Sequence, residues 1–94
     1  MVSILQTEKK CWVCGCKNNL HLHHTLYGGD KRRLSDKYGL TIWLCSKHHN
    51  MSDEGVHYNK ELDLRVKQMA QMECMQHYNM SMEEWLKIFR RNYL

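Results

Sequence analysis

Apolar and polar residues recur with two different periods along the chain, and the period changes near residue 58. From Leu20 to Leu26 apolar residues alternate with histidine, which predicts a short strand. The run from Leu40 to Leu44 is rich in β-branched and aromatic residues and predicts a second strand that leads directly into Cys45. Beyond residue 58 the apolar residues recur at spacings of three and four, the period of an amphipathic helix.

The last third of the chain is therefore predicted to be helical. One apolar stripe predicts a helix from Lys60 to about His77, with Leu62, Val66, Met69, Ala70 and Cys74 on its inner face. Ser81 and Glu84 form a capping-box pattern that predicts the start of a final helix, whose buried face holds Trp85, Ile88 and Phe89. The methionines of this region are interpreted either as core residues or as the surface of a homodimer, and the sequence does not separate the two.

Turn-forming residues divide the first half. Gly28 and Gly29 predict a break after the first strand, followed by a polar loop that carries Lys31, Arg32 and Arg33. The segment 35–38 predicts a single helical turn, capped by Ser35 and ended by Gly39. Ser46 is predicted to cap a short helix that carries His48 and His49.

Length and composition are those of one globular domain. The chain has 94 residues, of which 43% are hydrophobic and 26% charged. We find neither a signal-peptide pattern nor an apolar run of membrane-spanning length, so the expected location is the cytoplasm. The element pattern predicts an α+β fold spanning residues 1–94.

The charge distribution favours an acidic partner. The formal net charge is +4, and basic residues cluster around the cysteines and in the predicted polar loop. Nucleic acid is the partner that such clusters favour, and the alternative is a solvated basic face with no partner.

Two pairs of metal-ligating residues are the strongest chemical signal. Cys11 and Cys14 are separated by two residues, and so are Cys45 and His48. A two-residue gap lets one turn present both members of a pair, and two such pairs supply the tetrahedral ligand set of a structural zinc ion. A redox pair is the alternative, but no βαβ pattern precedes Cys11. Cys16 is a second choice in place of Cys14, and Cys74 is interpreted as a core residue.

Histidine is in excess, with seven residues that mostly surround these pairs. On the first predicted strand, His21 and His23 lie on one face and His24 on the other. His49 points away from His48 on a helix, so it could meet the strand histidines and form a second, open metal site. The alternatives are a surface role for His21, a buried hydrogen-bonding role for His23 or His24, and a capping role for His57.

The order of these motifs resembles the zinc-stabilised HNH endonucleases. The matching features are the Cys11–Cys14 pair, Leu22-His23-His24, Gly28-Gly29 and the segment from Leu44 to Asn50, so the likeness covers roughly residues 11–57. It implies a ββα-metal core, similar to a treble clef, followed by a helical part over 58–94. The closing segment, residues 55–94, also resembles small proteins encoded by phages and prophages, for which the location would be the host cytoplasm.

The resemblance further implies specific roles in cutting DNA. His24 would be the general base, and His23 and His49 would hold a catalytic divalent ion, Mg²⁺, Mn²⁺, Ni²⁺ or Zn²⁺. The last ligand would lie near Asp53, with His57 as the alternative, while Lys31, Arg32 and Arg33 would hold the phosphate backbone. The family's asparagine, which braces the loop carrying the base, has no counterpart between Tyr38 and Ile42.

Two other functions remain open at this stage. One is a catalytically silent, zinc-stabilised module that binds nucleic acid or a host protein, for example a phage inhibitor of a host defence enzyme. The other is a purely structural dimer held by the helices of the C-terminal part.

Overall fold

A computed structural model of the protein describes residues 3–49 and 59–94. The described chain is a small α+β structure with one two-stranded sheet and four helices. Its elements in chain order are β1 (Leu20–His24), α1 (Lys31–Tyr38), β2 (Thr41–Cys45), α2 (Ser46–His49), α3 (Lys60–His77) and α4 (Met82–Phe89).

The two strands pair antiparallel, in a register that sets Leu20 opposite Cys45 and His24 opposite Thr41. Both strands were expected from the sequence, but β1 ends at His24 and does not continue to Leu26. Thr25 still bonds with the residue that precedes β2, in the register of the strand pair. Its backbone N–H and its hydroxyl both donate to the Leu40 carbonyl, at 3.0 and 2.8 Å.

The helix between the strands is longer than the sequence analysis predicts. α1 begins at Lys31 and makes two turns, so the expected polar loop for Lys31, Arg32 and Arg33 is wrong. Lysine and arginine are good helix formers, and this helix needs only a narrow buried side, formed by Leu34 and Ser35. Ser35 is not the cap that was expected.

Ser35 instead joins α1 to the end of β1. Its hydroxyl is fully buried, donates to the Leu26 carbonyl at 2.7 Å and accepts from the Leu26 N–H at 3.1 Å. The expected end of the helix is confirmed, because Gly39 adopts the left-handed conformation with φ of 73° and its N–H bonds back into α1. β1, α1 and β2 are therefore tied together at the point where His24 ends its strand.

The short helix α2 carries His48 and His49 as expected, but Ser46 is its first residue and not a cap before it. The Ser46 hydroxyl donates to the carbonyl of Asn19 at 3.4 Å. This contact holds the start of α2 beside the start of β1.

The two predicted C-terminal helices are present: α3 has the expected bounds, and α4 begins where the capping box predicts. Asn59 caps α3 by accepting from the Leu62 N–H, and the Ser81–Glu84 capping box at the start of α4 is complete. Val66, Ala70 and Cys74 lie on the buried side of α3, and Trp85 and Phe89 on that of α4. Gln71 of α3 is fully buried; its side-chain amide donates to the side-chain oxygen of Asn92 and accepts from the Tyr93 N–H. The apolar stripe does not predict this polar residue in the core.

The buried residues form two clusters. One joins the region of α1 to α4 and contains Leu26, Leu34, Leu40, Cys74, Trp85, Phe89 and Tyr93. The other lies beside the sheet and contains Cys11, Ile42, Leu44, Cys45 and Val66. In the described ranges, no helix combines the length and the apolar character needed to cross a bilayer.

Candidate metal centre and histidine cleft

A tight turn presents the first cysteine pair. Gly15 has a φ of 77°, a conformation that glycine adopts at little cost, and its N–H donates to the Cys11 carbonyl at 2.8 Å. The Cys11 N–H donates to the Cys16 carbonyl at 2.7 Å and closes the turn from the other side.

Backbone pairing brings this turn to the second pair of ligands. The Trp12 N–H donates to the Trp43 carbonyl in β2 at 2.8 Å, which fixes the turn beside the strand that ends at Cys45. α2 starts immediately after Cys45 and places His48 one turn later. Two parts of the chain that are distant in sequence therefore meet at one point.

The ligand atoms of Cys11, Cys14, Cys45 and His48 all lie within 4.8 Å of one another. The Sγ atoms of Cys14 and Cys45 are 3.8 Å apart. The Nδ1 atom of His48 lies 3.8 Å from the Sγ of Cys11 and 3.3 Å from that of Cys45. These four side chains lie close enough to hold a metal ion, as their spacing in the sequence predicts.

Cys16 lies outside this group, although it was the alternative to Cys14. Its sulfur accepts from the Asn18 N–H at 3.4 Å and lies 3.6 Å from the Asn18 carbonyl oxygen. Cys74 lies in the other core cluster, where burial raises the pKa of its thiol to about 11. Its expected role as a core residue is confirmed.

The surroundings of the four side chains favour ionisation of the Cys11 thiol over that of the Cys14 thiol. Burial opposes ionisation of Cys11, but hydrogen bonds from the backbone of Cys45, Cys14 and Val13 outweigh it and lower the pKa of Cys11 to about 6. A backbone hydrogen bond from Cys16 favours the Cys14 thiolate, yet desolvation and the sulfurs of Cys11 and Cys45 raise the pKa of Cys14. Closely spaced thiolates repel each other, and a bound cation relieves that repulsion.

A histidine cleft lies at the end of β1, beside the metal cluster. Its cavity of about 260 Å³ is lined by Leu22, His23, His24, Tyr27, Arg32 and His49. The ring of His23 is 5.3 Å from that of His49, measured between centroids. Three side chains that the resemblance implicates in catalysis, His23, His24 and His49, thus share one opening with an arginine.

His21 also takes part in this arrangement, for which the sequence had left a surface role as the alternative. Its Nδ1 atom lies 2.9 Å from Nδ1 of His49, within hydrogen-bonding distance. The strand alternation that sets His21 and His23 on one face accounts for this contact. His49 therefore meets both inward histidines of β1, while its neighbour His48 turns to the cysteines.

The sequence did not predict that Asp36 and Tyr27 would belong to the surroundings of the cleft. Asp36 of α1 accepts a hydrogen bond from Nε2 of His24 at 2.8 Å, but the sequence pattern had placed Asp36 only in a single turn. Tyr27 forms one wall of the cleft and donates to Asp63 of α3 at 3.0 Å. Burial, together with the Asp63 carboxylate, raises the pKa of Tyr27 to about 12, so it stays a neutral donor.

The three basic residues predicted to bind nucleic acid have different surroundings. Arg32 lines the cleft, whereas the guanidinium of Arg33 lies 4.0 Å from Asp30 in a loose, exposed ion pair. Lys31 is half-buried at the first position of α1. The possible last metal ligands, Asp53 and His57, lie outside the described residues.

Comparison of the chain with protein-family models, with curated proteins and with solved structures finds no match in any of the three. The geometry and chemistry of the metal cluster and the histidine cleft are therefore the basis for assigning a function.

Proposed function

We propose that the protein is an HNH-like, metal-dependent endonuclease that hydrolyses phosphodiester bonds in DNA within the histidine cleft. The observation that carries this proposal is the convergence of His23, His24 and His49 with Arg32 around one small opening. Imidazoles that bind metal or accept protons, next to a guanidinium that binds phosphate, are the groups that phosphodiester hydrolysis needs.

The metal cluster is proposed to hold a structural Zn²⁺. Bonds of about 2.3 Å to sulfur and about 2.0 Å to nitrogen place the ligand atoms of a tetrahedral zinc ion about 3.5–3.8 Å apart. Three of the six distances between the ligand atoms, 3.8, 3.8 and 3.3 Å, agree with these values to within about 0.3 Å, and all six are at most 4.8 Å. Three thiolates and one imidazole complete the shell, as is typical of a structural rather than a catalytic zinc site.

The arrangement supports a ββα-metal, treble-clef-like core followed by the two C-terminal helices. A zinc-binding turn precedes β1, and the second ligand pair lies at the junction of β2 and α2. A zinc ion bound by both pairs would link the turn to the start of α2. This link would hold His49 of α2 close to the histidines of β1.

In the proposed reaction, His24 takes a proton from a water molecule as the water oxygen attacks phosphorus. A new P–O bond forms, and the bond from phosphorus to the leaving oxygen breaks. A divalent ion held by His23 and His49, Mg²⁺, Mn²⁺, Ni²⁺ or Zn²⁺, would polarise the phosphate and stabilise the leaving oxygen. Arg32 would pair with the phosphate oxygens, and Lys31 and Arg33 would contact the backbone on either side.

The absence of the family's bracing asparagine is compatible with activity. The residues after His24 are held by the Leu40 carbonyl, which accepts from Thr25, and by the Ser35 hydroxyl, which bonds Leu26 twice. These contacts can perform the same bracing task.

The test is nicking of supercoiled plasmid DNA by the full chain with each of the four divalent ions. We expect wild-type protein to nick with at least one ion, and His24→Ala to lower the rate by about 100-fold or more, because the base is lost. His77→Ala is the matched control, since His77 is an exposed residue at the end of α3 and its loss should leave the rate unchanged. Absence of nicking by zinc-loaded wild type with every ion would exclude the nuclease.

A catalytically silent nucleic-acid-binding module is the second candidate, and the basic surface of α1 favours it. Arg32 and Arg33 are exposed on a helix that a phosphate backbone can reach without any chemistry. Gel-shift retention that persists in His24→Ala but is lost when Lys31, Arg32 and Arg33 are all neutralised, without nicking by wild type, would support this candidate. Retention that is indifferent to both changes would exclude it.

A further inference from the structure

The contact between His24 and Asp36 is the feature of the cleft that the proposed function leaves unexplained. His24 is the last residue of β1, and its side chain is 13% exposed. Its Nε2 atom lies 2.8 Å from Oδ1 of Asp36, twelve positions later in the sequence. The short distance indicates a hydrogen bond that involves a charged or strongly polar partner.

The backbone around this contact is held on both sides. Ser35, the neighbour of Asp36, is fully buried and bonds both backbone groups of Leu26, two residues beyond His24. The Leu40 N–H donates to the Ser35 carbonyl at 2.8 Å. The hydrogen bonds of Ser35 therefore fix the position of Asp36 relative to the segment that carries His24.

Two charged neighbours of Asp36, Arg33 and Lys37, contact other groups. The guanidinium of Arg33 pairs loosely with Asp30, and the ammonium of Lys37 lies over the ring of Tyr38 at 5.6 Å. In the part of the chain that the structure describes, Asp36 pairs with the imidazole of His24. A random surface acid on so basic a helix would be expected to pair along the helix, with a residue three or four positions away.

We propose that Asp36 is the positioning residue of the general base, an inference that rests on the proposed nuclease function. An ionised carboxylate only accepts hydrogen bonds, so it requires the proton of neutral His24 to be on Nε2. The lone pair of Nδ1 then remains to take the proton from the attacking water. After the transfer, the carboxylate also stabilises the imidazolium that has formed.

The direct test of this inference is a ¹⁵N NMR spectrum of the His24 ring in full-length, zinc-loaded protein, recorded where the ring is neutral. We expect Nε2 to carry the proton in wild type, with slow solvent exchange because of the hydrogen bond. In Asp36→Ala the Nε2 proton should exchange faster and both ring nitrogen shifts should move. A neutral His24 ring protonated on Nδ1 in wild type, or ring shifts unchanged by Asp36→Ala, would overturn the inference.

Kinetics supply the second test. Asp36→Ala should lower kcat for plasmid nicking by about 10- to 100-fold, the usual cost of removing a group that orients a histidine, with KM nearly unchanged. Asp30→Ala is the matched control, because it removes the same charge from the start of the same helix without touching His24. If Asp36→Ala and Asp30→Ala lower kcat equally, the loss comes from the change in net charge, and the inference fails.

The two hypotheses fail in different ways. A protein without nicking activity removes the proposed nuclease, whereas the NMR measurement reports on Asp36 and His24 whether or not DNA is cut. Zinc content and melting temperature, measured on each variant, identify any variant that has simply lost its fold.

Discussion

His48 and His49 are neighbours in the sequence, yet they contribute to two different sites. Successive residues of a helix point about 100° apart, so His48 faces the sulfurs of Cys11 and Cys45 while His49 faces His21. The metal cluster and the histidine cleft thus share one short helix. A structural ion at the first site would therefore fix the geometry of the second.

The choice between Cys14 and Cys16 gives a test at the level of single residues. Cys14→Ser should reduce bound zinc, measured by metal analysis, well below one ion per chain, because the sulfur of Cys14 belongs to the four-ligand cluster. Cys16→Ser should retain the full zinc content and lose only the weak contacts with Asn18. Equal loss of zinc from both variants would contradict the proposed ligand set.

Arg32 and Arg33 provide a second comparison at this scale. Both charges face solvent, so either alanine variant should weaken DNA binding and reduce the slope of log K against log salt by about one. Only Arg32 lines the cleft, so Arg32→Ala should in addition lower kcat by about tenfold or more through loss of charge stabilisation. An equal fall in kcat for Arg33→Ala would place the reacting phosphate elsewhere.

At the scale of elements, the sequence predicts structure best where apolar residues recur regularly over several turns, or where two ligands are only a few residues apart. α3 and α4 follow from an apolar stripe and a capping box, and β2 from its β-branched run. α1 was predicted as a single turn, with its first half read as a loop, because its buried side has a single apolar residue, Leu34, next to a serine. The partnership of Asp36 with His24 depends on the packing of that helix against β1, so no local pattern could reveal it.

The capping box gives a prediction for the stability of an element remote from the cleft. Ser81→Ala should lower the free energy of unfolding by about 1 kcal/mol, because the N–H of Glu84 loses its acceptor at the start of α4. Thermal and urea unfolding measure this change, and the nicking rate at a temperature well below melting should stay the same. Glu83→Ala is the control and should cost less than about 0.5 kcal/mol, since its pair with Lys87 is exposed.

At the scale of the whole molecule, the two core clusters differ in what stabilises them. The α1–α4 cluster contains stacked Trp85 and Phe89, with ring centroids 3.9 Å apart, and is mainly apolar. The cluster beside the sheet is smaller and contains two of the four residues that lie close enough to hold a metal ion, Cys11 and Cys45. A 94-residue chain has a modest core, so a metal ion at the second cluster would supply a large share of its stability.

Removal of zinc should therefore unfold the sheet side of the protein. Structural zinc contributes about 10–16 kcal/mol in zinc-finger peptides, which is comparable to the entire stability of a typical protein, about 5–15 kcal/mol. Trp12 packs against the cluster beside the sheet, Trp43 lies in β2 two residues before Cys45, and Trp85 lies in the other core. With Trp85→Phe as background, the fluorescence of the remaining tryptophans should shift to longer wavelength as a strong chelator removes zinc.

A titration with the chelator also distinguishes the ion proposed for the histidine cleft from the structural ion proposed for the cysteine cluster. An ion held in the histidine cleft by imidazoles and water is expected to leave at lower chelator concentration than an ion held by three thiolates. Nicking should then stop first, while the melting temperature stays unchanged, and the fluorescence shift and loss of folding should follow when the second ion leaves. If metal analysis shows all zinc removed while the tryptophan emission and the melting temperature stay constant, the ion is not structural. The sheet side would then have to be stable through its apolar contacts alone.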